Sequence, residues 1–124
     1  MTDDRPRFAL APWTDFTLSP WTYRPGHGLE WHSDRGYLAG YIYYAHPDWH
    51  SSWGGELLVA PDAAATSIPE SVCEAGGVFI YPRPNRLVLL RGGVLHCIKK
   101  VEGAAGKAFR ASISGFFLDA GVRD

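Results

Sequence analysis

The sequence predicts an all-β protein of about eight short strands, because short apolar runs rich in β-branched and aromatic residues alternate with turn residues. The 124 residues include 14 Gly and 9 Pro, which favour strands and turns over helices. Helix signals are weak, since the alanines at 63–65 are closely bracketed by Pro61 and Pro69. A barrel or a sandwich with minimal helical support is expected.

The expected strands begin near the N-terminus, where Pro6, Pro12 and Pro20 limit any strand to a short one. Phe8–Leu10 and Phe16–Leu18 are the two candidates there. Clearer runs follow from Trp21 onward, and they are Leu29–His32, Tyr37–Tyr44, Glu56–Val59, Gly77–Tyr81, Leu87–Leu90, Leu95–Val101 and Phe109–Leu118.

Composition indicates a single globular domain over residues 1–124, with 46% hydrophobic and 20% charged residues. The formal net charge is −1 and no Lys/Arg cluster stands out, which argues against nucleic-acid binding. Cys73 and Cys97 do not make a disulfide framework. No signal-peptide pattern and no membrane-spanning apolar run are visible, so a cytoplasmic protein without a membrane partner is expected.

His32 and Asp34 form a candidate pair of metal ligands at the end of the Leu29–His32 strand. Residues two apart on a strand point to the same face, so an imidazole and a carboxylate would lie side by side. Taken alone this signal is weak, because a solvent-facing pair of the same spacing is common.

His96, in the apolar run Leu95–Val101, is the candidate third ligand. Two histidines and one carboxylate can occupy one face of an octahedron, which leaves positions open for a bidentate co-substrate and O₂ at a non-haem Fe(II) centre. A core histidine bonded to backbone is the alternative. Cys97, on the opposite strand face, is read as a small core residue.

Arg110 lies between Phe109 and Ala111 in an otherwise apolar strand, so its charge needs a partner. A dicarboxylate suits the guanidinium fork, and Ser112 on the same face could add a hydrogen bond. The alternative is an ion pair with a protein carboxylate such as Glu56.

The order of these motifs resembles that of the 2-oxoglutarate/Fe(II)-dependent dioxygenases. The resemblance covers roughly residues 21–118 and is closest to the prolyl-hydroxylase branch. It is carried by His32-x-Asp34, Tyr41–Trp49 with its Ile-Tyr-Tyr strand, Trp53–Leu57 with its Gly-Gly pair, Asn85–Leu90, His96, and Arg110–Phe117.

The resemblance implies a double-stranded β-helix, that is, a jelly roll or cupin-like barrel. It implies that His32, Asp34 and His96 bind Fe(II) and that Arg110 binds the distal carboxylate of 2-oxoglutarate. Tyr44 matches the family tyrosine that assists this arginine, with Tyr43 facing outward. Ser112 and Tyr23 are further candidates for contact with the co-substrate. The resemblance implies O₂ as the oxidant and leaves a role for ascorbate open.

The implied reaction is hydroxylation of an unactivated C–H bond of a prolyl residue, an amino acid or a small natural-product intermediate, with release of succinate and CO₂. The carboxylate of Asp34 argues against the halogenating relatives, in which this position is small. Few residues precede His32 compared with the family, so a minimal enzyme is expected, with a homodimer left open. Two rivals remain: a cupin-type metal enzyme that does not use 2-oxoglutarate, and a non-catalytic metal-binding jelly roll.

His46 and His50 have the spacing of a helical zinc pair, but Pro47 between them favours a loop. We expect this loop to lie over the mouth of the site, where both histidines could contact substrate. Three tryptophans are expected to serve mainly in packing: Trp31, Trp49 and Trp53.

Overall fold

The computed structural model describes residues 12–61 and 76–119. Nine strands and one 3-10 turn (Gly103–Ala105) occur in these ranges, and no helix there is long and apolar enough to cross a membrane. The strands are β1 Asp15–Phe16, β2 Ser19–Tyr23, β3 Leu29–His32, β4 Ala39–Tyr44, β5 Leu57–Val59, β6 Val78–Ile80, β7 Leu87–Arg91, β8 His96–Ile98 and β9 Arg110–Leu118. The all-β prediction is confirmed. The candidate strand Phe8–Leu10, the alanines at 63–65 and Cys73 lie outside the described residues.

The strands form two antiparallel sheets. In the five-stranded sheet, β1 and β2 follow one another along one edge of β9, while β4 and then β7 lie on its other side. The four-stranded sheet has the order β3-β8-β5-β6. A core drawn from both sheets lies between them, formed by Ile42, Tyr44, Leu57, Val88 and Ile98. This is the two-sheet arrangement of a double-stranded β-helix, and within the described ranges no pairing joins β2 to β3.

Strand β2 differs from the expectation, because the sequence favoured a short strand at Phe16–Leu18 and Pro20 was expected to limit any strand near it. Pro20 instead lies inside β2, where it is the register partner of Ile113. Among the described strands β2 pairs with β9 alone, and such an edge strand tolerates a residue that has no N–H to donate. Pro20 is therefore compatible with a five-residue strand, because β2 lies at the edge of the sheet.

Cross-strand register brings four predicted site residues to the inner face of the five-stranded sheet. Tyr23 is directly opposite Arg110, and Tyr44 is directly opposite Ser112. Directly opposed residues project to the same face, so all four side chains meet between the sheets. The Tyr43 hydroxyl donates instead to Asn85 on the outer side, as the sequence predicted for the first tyrosine of the pair.

Candidate active site

The three candidate metal ligands converge because of the pairing of β3 with β8. His32 at the end of β3 is the register partner of His96 at the start of β8, and their ring centroids lie 4.3 Å apart. The Oδ2 atom of Asp34 lies 3.5 Å from Nε2 of His32 and 3.4 Å from Nε2 of His96. All three side chains offer a ligand atom within 4.8 Å of the others. One metal ion can therefore contact all three.

The outer nitrogens of both histidines are held by backbone carbonyls. Nδ1 of His32 lies 2.8 Å from the oxygen of Glu30, and Nδ1 of His96 lies 2.7 Å from the oxygen of Val94. A carbonyl can only accept, so each Nδ1 donates a proton and each Nε2 keeps a lone pair. Burial lowers the pKa of His96, although the hydrogen bond to Val94 acts in the opposite direction. Both rings thus present a metal-binding nitrogen on the side of Asp34.

This donor set fits non-haem iron. Two imidazole nitrogens and one carboxylate oxygen are the facial set that leaves positions free for a co-substrate and O₂. Within residues 12–61 and 76–119 it is the one group of three or more His, Cys, Asp or Glu side chains arranged closely enough to hold a metal.

Arg110 is 1% exposed and has no carboxylate partner among the described residues, so the predicted alternative of a pair with Glu56 is wrong. Its Nε donates to the carbonyl of Gly55 at 2.9 Å, and its guanidinium carbon lies 5.0 Å from the ring centre of Tyr44 and 5.4 Å from that of Tyr23. Nη2 of Arg110 and the Tyr44 hydroxyl, both buried, have no hydrogen-bond partner in the described part of the chain.

Burial also shifts the pKa values of Arg110 and Tyr44. It lowers the pKa of Arg110 and raises the pKa of Tyr44, while the attraction between the two groups opposes both shifts. A buried cation with an unsatisfied donor is costly unless an anion completes it. The buried guanidinium therefore suits a carboxylate as its ligand.

The Gly54-Gly55 pair allows the backbone to approach the Arg110 side chain closely. Both glycines have positive φ, +74° and +75°, which L side chains rarely adopt. A Cβ on Gly55 would lie 2.9 Å from Cδ of Arg110, so the backbone can approach the arginine only without a side chain. Nε1 of Trp49 donates to the carbonyl of Gly54 at 2.8 Å and so helps to hold this backbone conformation.

One cavity of about 300 Å³ connects the metal ligands to the arginine. Six of the predicted site residues line it: Tyr23, His32, Asp34, His96, Arg110 and Ser112. Tyr44 does not line the cavity and lies against Arg110. The cavity wall also includes Trp21, Leu29 and Ser114, which were not predicted as site residues. Ser114 continues the period-two alternation from Arg110 to Ser112, so the strand pattern could have indicated it.

His46 does not lie over the mouth of the site, and that expectation is wrong. It is 3% exposed, its Nε2 donates to the carbonyl of Pro82 at 2.7 Å, and its Nδ1 accepts the Ala111 amide at 3.1 Å. His50 is exposed and pairs with the hydroxyl of Ser52. Neither histidine lines the cavity described above.

A model of the 2OG-Fe(II) oxygenase superfamily matches residues 18–118. The chain belongs to the 2OG-Fe(II) oxygenase superfamily. The cofactors of this family are Fe(II), 2-oxoglutarate and O₂, and the His32, Asp34 and His96 group fits the iron. A comparison with curated proteins found no match.

Solved structures of prolyl 4-hydroxylases share the fold. A prolyl-4-hydroxylase from Pseudomonas putida aligns with a TM-score of 0.66 and 22% identity over 87% of this chain and 54% of that protein. A structure reported for prolyl 4-hydroxylases from Phytophthora capsici aligns with a TM-score of 0.60 and 19% identity over 86% of this chain and 33% of that protein. The chain thus spans about half and one third of their lengths.

Proposed function

We propose that the chain is a 2-oxoglutarate- and Fe(II)-dependent dioxygenase that hydroxylates an unactivated C–H bond and releases succinate and CO₂. One observation carries the proposal: a buried arginine with an unsatisfied Nη2 lines the same cavity as a 2-His-1-carboxylate group. A simple metal site would require only the second of these features.

In this proposal His32, Asp34 and His96 hold the iron through Nε2, Nε2 and a carboxylate oxygen. Bound iron together with 2-oxoglutarate and O₂ supplies the oxidising power, and the chain supplies position and exclusion of water. The carbonyls of Glu30 and Val94 orient the two imidazoles and raise their basicity.

Arg110 binds the distal carboxylate of 2-oxoglutarate. Its Nε is already used by Gly55, so Nη2, which has no partner among the described residues, is the donor left for the ligand. The Tyr44 side chain, whose hydroxyl also has no partner among the described residues, lies against Arg110 and orients its fork. Ser112 and Tyr23 complete this end of the cavity.

The substrate is proposed to be a prolyl residue, a free amino acid or a small natural-product intermediate. Similarity in fold to prolyl 4-hydroxylases supports the first of these. The cavity is small, about 300 Å³, and its wall includes Trp21 and Leu29, so a compact apolar group suits the space left beside the co-substrate.

The two rival functions use the arginine differently. A cupin-type enzyme that does not bind 2-oxoglutarate gives Arg110 no ligand, and the buried Nη2 would stay unsatisfied at a cost in stability. A non-catalytic domain could bind metal and co-substrate without turnover.

The test begins with anaerobic protein to which Fe(II) and 2-oxoglutarate are added. Wild type should develop a weak visible charge-transfer band, and Arg110→Ala should lose it or need far more 2-oxoglutarate. Arg83→Ala, which removes an exposed arginine from the turn before β7, is the matched control and should behave as wild type. A wild-type protein with neither the band nor 2-oxoglutarate binding would refute the oxygenase proposal.

Turnover is tested next with candidate substrates under air. Gain of one oxygen atom by a proline-containing peptide, free proline or another small molecule, seen by mass spectrometry and matched by succinate, separates an enzyme from a binding domain. The homodimer, the cytoplasmic location and the use of ascorbate stay predictions; light scattering of the purified protein tests the first.

A further inference from the structure

His46 is a buried titratable residue with no place in the chemistry proposed above. It lies just after β4, out of contact with the cavity, and its ring centre is 5.8 Å from that of Tyr44 and 4.8 Å from that of Trp49. Both of its nitrogens are used by backbone groups, at Pro82 and Ala111. A histidine bonded in this way connects three segments of the chain.

The tautomer of His46 is the reverse of that of the two candidate metal ligands. In His32 and His96 the proton is on Nδ1, which donates to a carbonyl, and Nε2 carries the lone pair. In His46 the proton is on Nε2, which donates to Pro82, and Nδ1 accepts the Ala111 amide. Its lone pair is therefore committed to the backbone of β9.

The contacts around His46 close into a ring that includes Arg110. Arg110 donates to Gly55, and Trp49 donates to the adjacent Gly54. Trp49 packs on His46, and His46 accepts the amide of Ala111, the residue that follows Arg110. The side chain of Arg110 is thus connected through Gly55, and its backbone through Ala111, to the same pair of residues, Trp49 and His46.

We propose that His46 is a positioning residue for 2-oxoglutarate: by accepting the Ala111 amide it fixes the start of β9, and with it the direction of the Arg110 fork. The proposal rests on the proposed function, because the ligand of Arg110 is taken to be 2-oxoglutarate. Within the described part of the chain no hydrogen bond connects this ring of contacts to the candidate iron ligands, so affinity for the metal should not depend on His46.

Three variants separate positioning from simple packing. His46→Asn keeps a side-chain oxygen that can accept from Ala111. His46→Phe keeps an aromatic ring and removes the acceptor. His46→Gln places its amide near the Nε2 position, so it can serve Pro82 but leaves Ala111 without a partner. The matched control is His50→Phe, since His50 is exposed and its Nδ1 contacts Ser52 within its own loop.

The measurement is calorimetric binding of 2-oxoglutarate to anaerobic Fe(II)-loaded protein, with Fe(II) binding measured separately. Loss of the acceptor leaves a buried amide unpaired, so His46→Phe and His46→Gln should bind 2-oxoglutarate about tenfold more weakly. His46→Asn should stay close to wild type, and Fe(II) affinity should be unchanged in all variants. In metal-free protein, the Ala111 amide should exchange with solvent faster in His46→Phe and His46→Gln than in wild type.

Several results would overturn the proposal. Equal 2-oxoglutarate affinity in wild type, His46→Phe and His46→Gln would do so, as would a weakened His46→Asn, which would indicate that only ring packing matters. A parallel loss of Fe(II) affinity would show a general disturbance of the fold. If His46→Phe does not fold, the contrast between His46→Gln and His46→Asn decides. Failure of wild type to bind 2-oxoglutarate refutes the proposed function itself, whereas normal wild-type binding with unaffected variants refutes this inference alone.

Discussion

His32 and His96 are cross-strand partners whose ring centroids lie 4.3 Å apart. The pairing of β3 with β8, together with the carbonyls that hold each Nδ1, sets the distance and the direction of both Nε2 atoms. The site is therefore organised by backbone geometry, and metal binding needs little rearrangement of either ring.

Replacing a candidate ligand should weaken metal binding much more than it weakens the fold. His96→Ala removes one of three ligand atoms and should reduce Fe(II) affinity by at least about 100-fold, since loss of an outer partner alone typically costs 10–100-fold. Anaerobic calorimetry measures this, with His50→Ala as the control. Retention of wild-type affinity in His96→Ala would exclude the assigned centre.

Arg110→Met should separate function from stability. The buried guanidinium carries an unsatisfied Nη2, and an apolar chain of similar length removes that cost. We expect the free energy of unfolding to be unchanged or raised by up to about 2 kcal/mol, while 2-oxoglutarate binding is lost. Urea unfolding and calorimetry on the same sample provide both values. A variant destabilised by several kcal/mol would mean that the arginine supports the fold through contacts other than those described.

Tyr44→Phe tests the second unsatisfied buried group. The hydroxyl has no partner in the described structure, so its removal should leave stability equal to wild type or higher by up to about 1 kcal/mol. Affinity for 2-oxoglutarate should fall about three- to tenfold if the hydroxyl contacts the co-substrate or the arginine fork. Tyr43→Phe, on the outer face of the same strand, is the matched control. A hydroxyl without a functional role would give Tyr44→Phe the same 2-oxoglutarate affinity as wild type.

Gly55→Ala should displace the arginine. At φ +75° an alanine is strained, and its Cβ would lie 2.9 Å from Cδ of Arg110. Gly76→Ala has nearly the same φ, +73°, with nothing within 4 Å, so it shares the backbone cost of about 1–2 kcal/mol without the contact. Only Gly55→Ala should lower 2-oxoglutarate affinity, by about tenfold. Equal affinities in the two variants would remove Gly55 from the support of Arg110.

The stability of the protein should fall as the pH falls below 6.5, in part because of His46. Burial lowers the pKa of His46 from 6.5 and outweighs the hydrogen bond to Pro82, which acts in the opposite direction, while the Arg110 guanidinium adds to the lowering. The unfolded chain then binds a proton before the folded one does, so the stabilisation is complete above 6.5 and is lost on acidification. His46→Asn should show a flatter profile, by at most about 1.4 kcal/mol per pH unit.

The comparison of wild type with His46→Asn isolates the titration of His46 from that of the other groups. Tyr44 and Arg110, which neighbour the ring of His46, keep their protonation states between pH 5 and 8. His96 also has a lowered pKa, but it is present in both proteins and cancels in the difference. Urea unfolding between pH 5 and 8 measures the effect, and identical slopes for both proteins would mean that His46 does not titrate in this range.

Two of the candidate ligands, His32 and His96, were predictable from the sequence because each lies on a strand with a clear pattern, and Asp34 follows β3 by two residues. His32 and His96 were on different predicted strands, and only a resemblance to a family, not spacing, indicated that the two strands would pair. The inward direction of Tyr44 followed from period-two alternation once the strand was identified.

Two features could not be predicted locally. Pro20 was expected to limit any strand near it to a short one, because no sequence signal shows that β2 is an edge strand, paired with β9 alone among the described strands. His46 read as a loop residue over the cavity, because its partners, Pro82 and Ala111, are distant in the sequence. In both cases long-range pairing decided the outcome.

The place of β9 in its sheet has a consequence for biosynthesis. This last described strand lies between β1 and β2 on one side and β4 on the other, so until it arrives β1 and β2 lack their partner and β4 is paired only with β7. A ribosome-bound chain would present the candidate iron ligands of β3 and β8 before the anion site of Arg110 exists. Until then β2 and β4 remain open edges prone to pairing with other chains, and late completion of the sheet is the step at which chaperones would matter most.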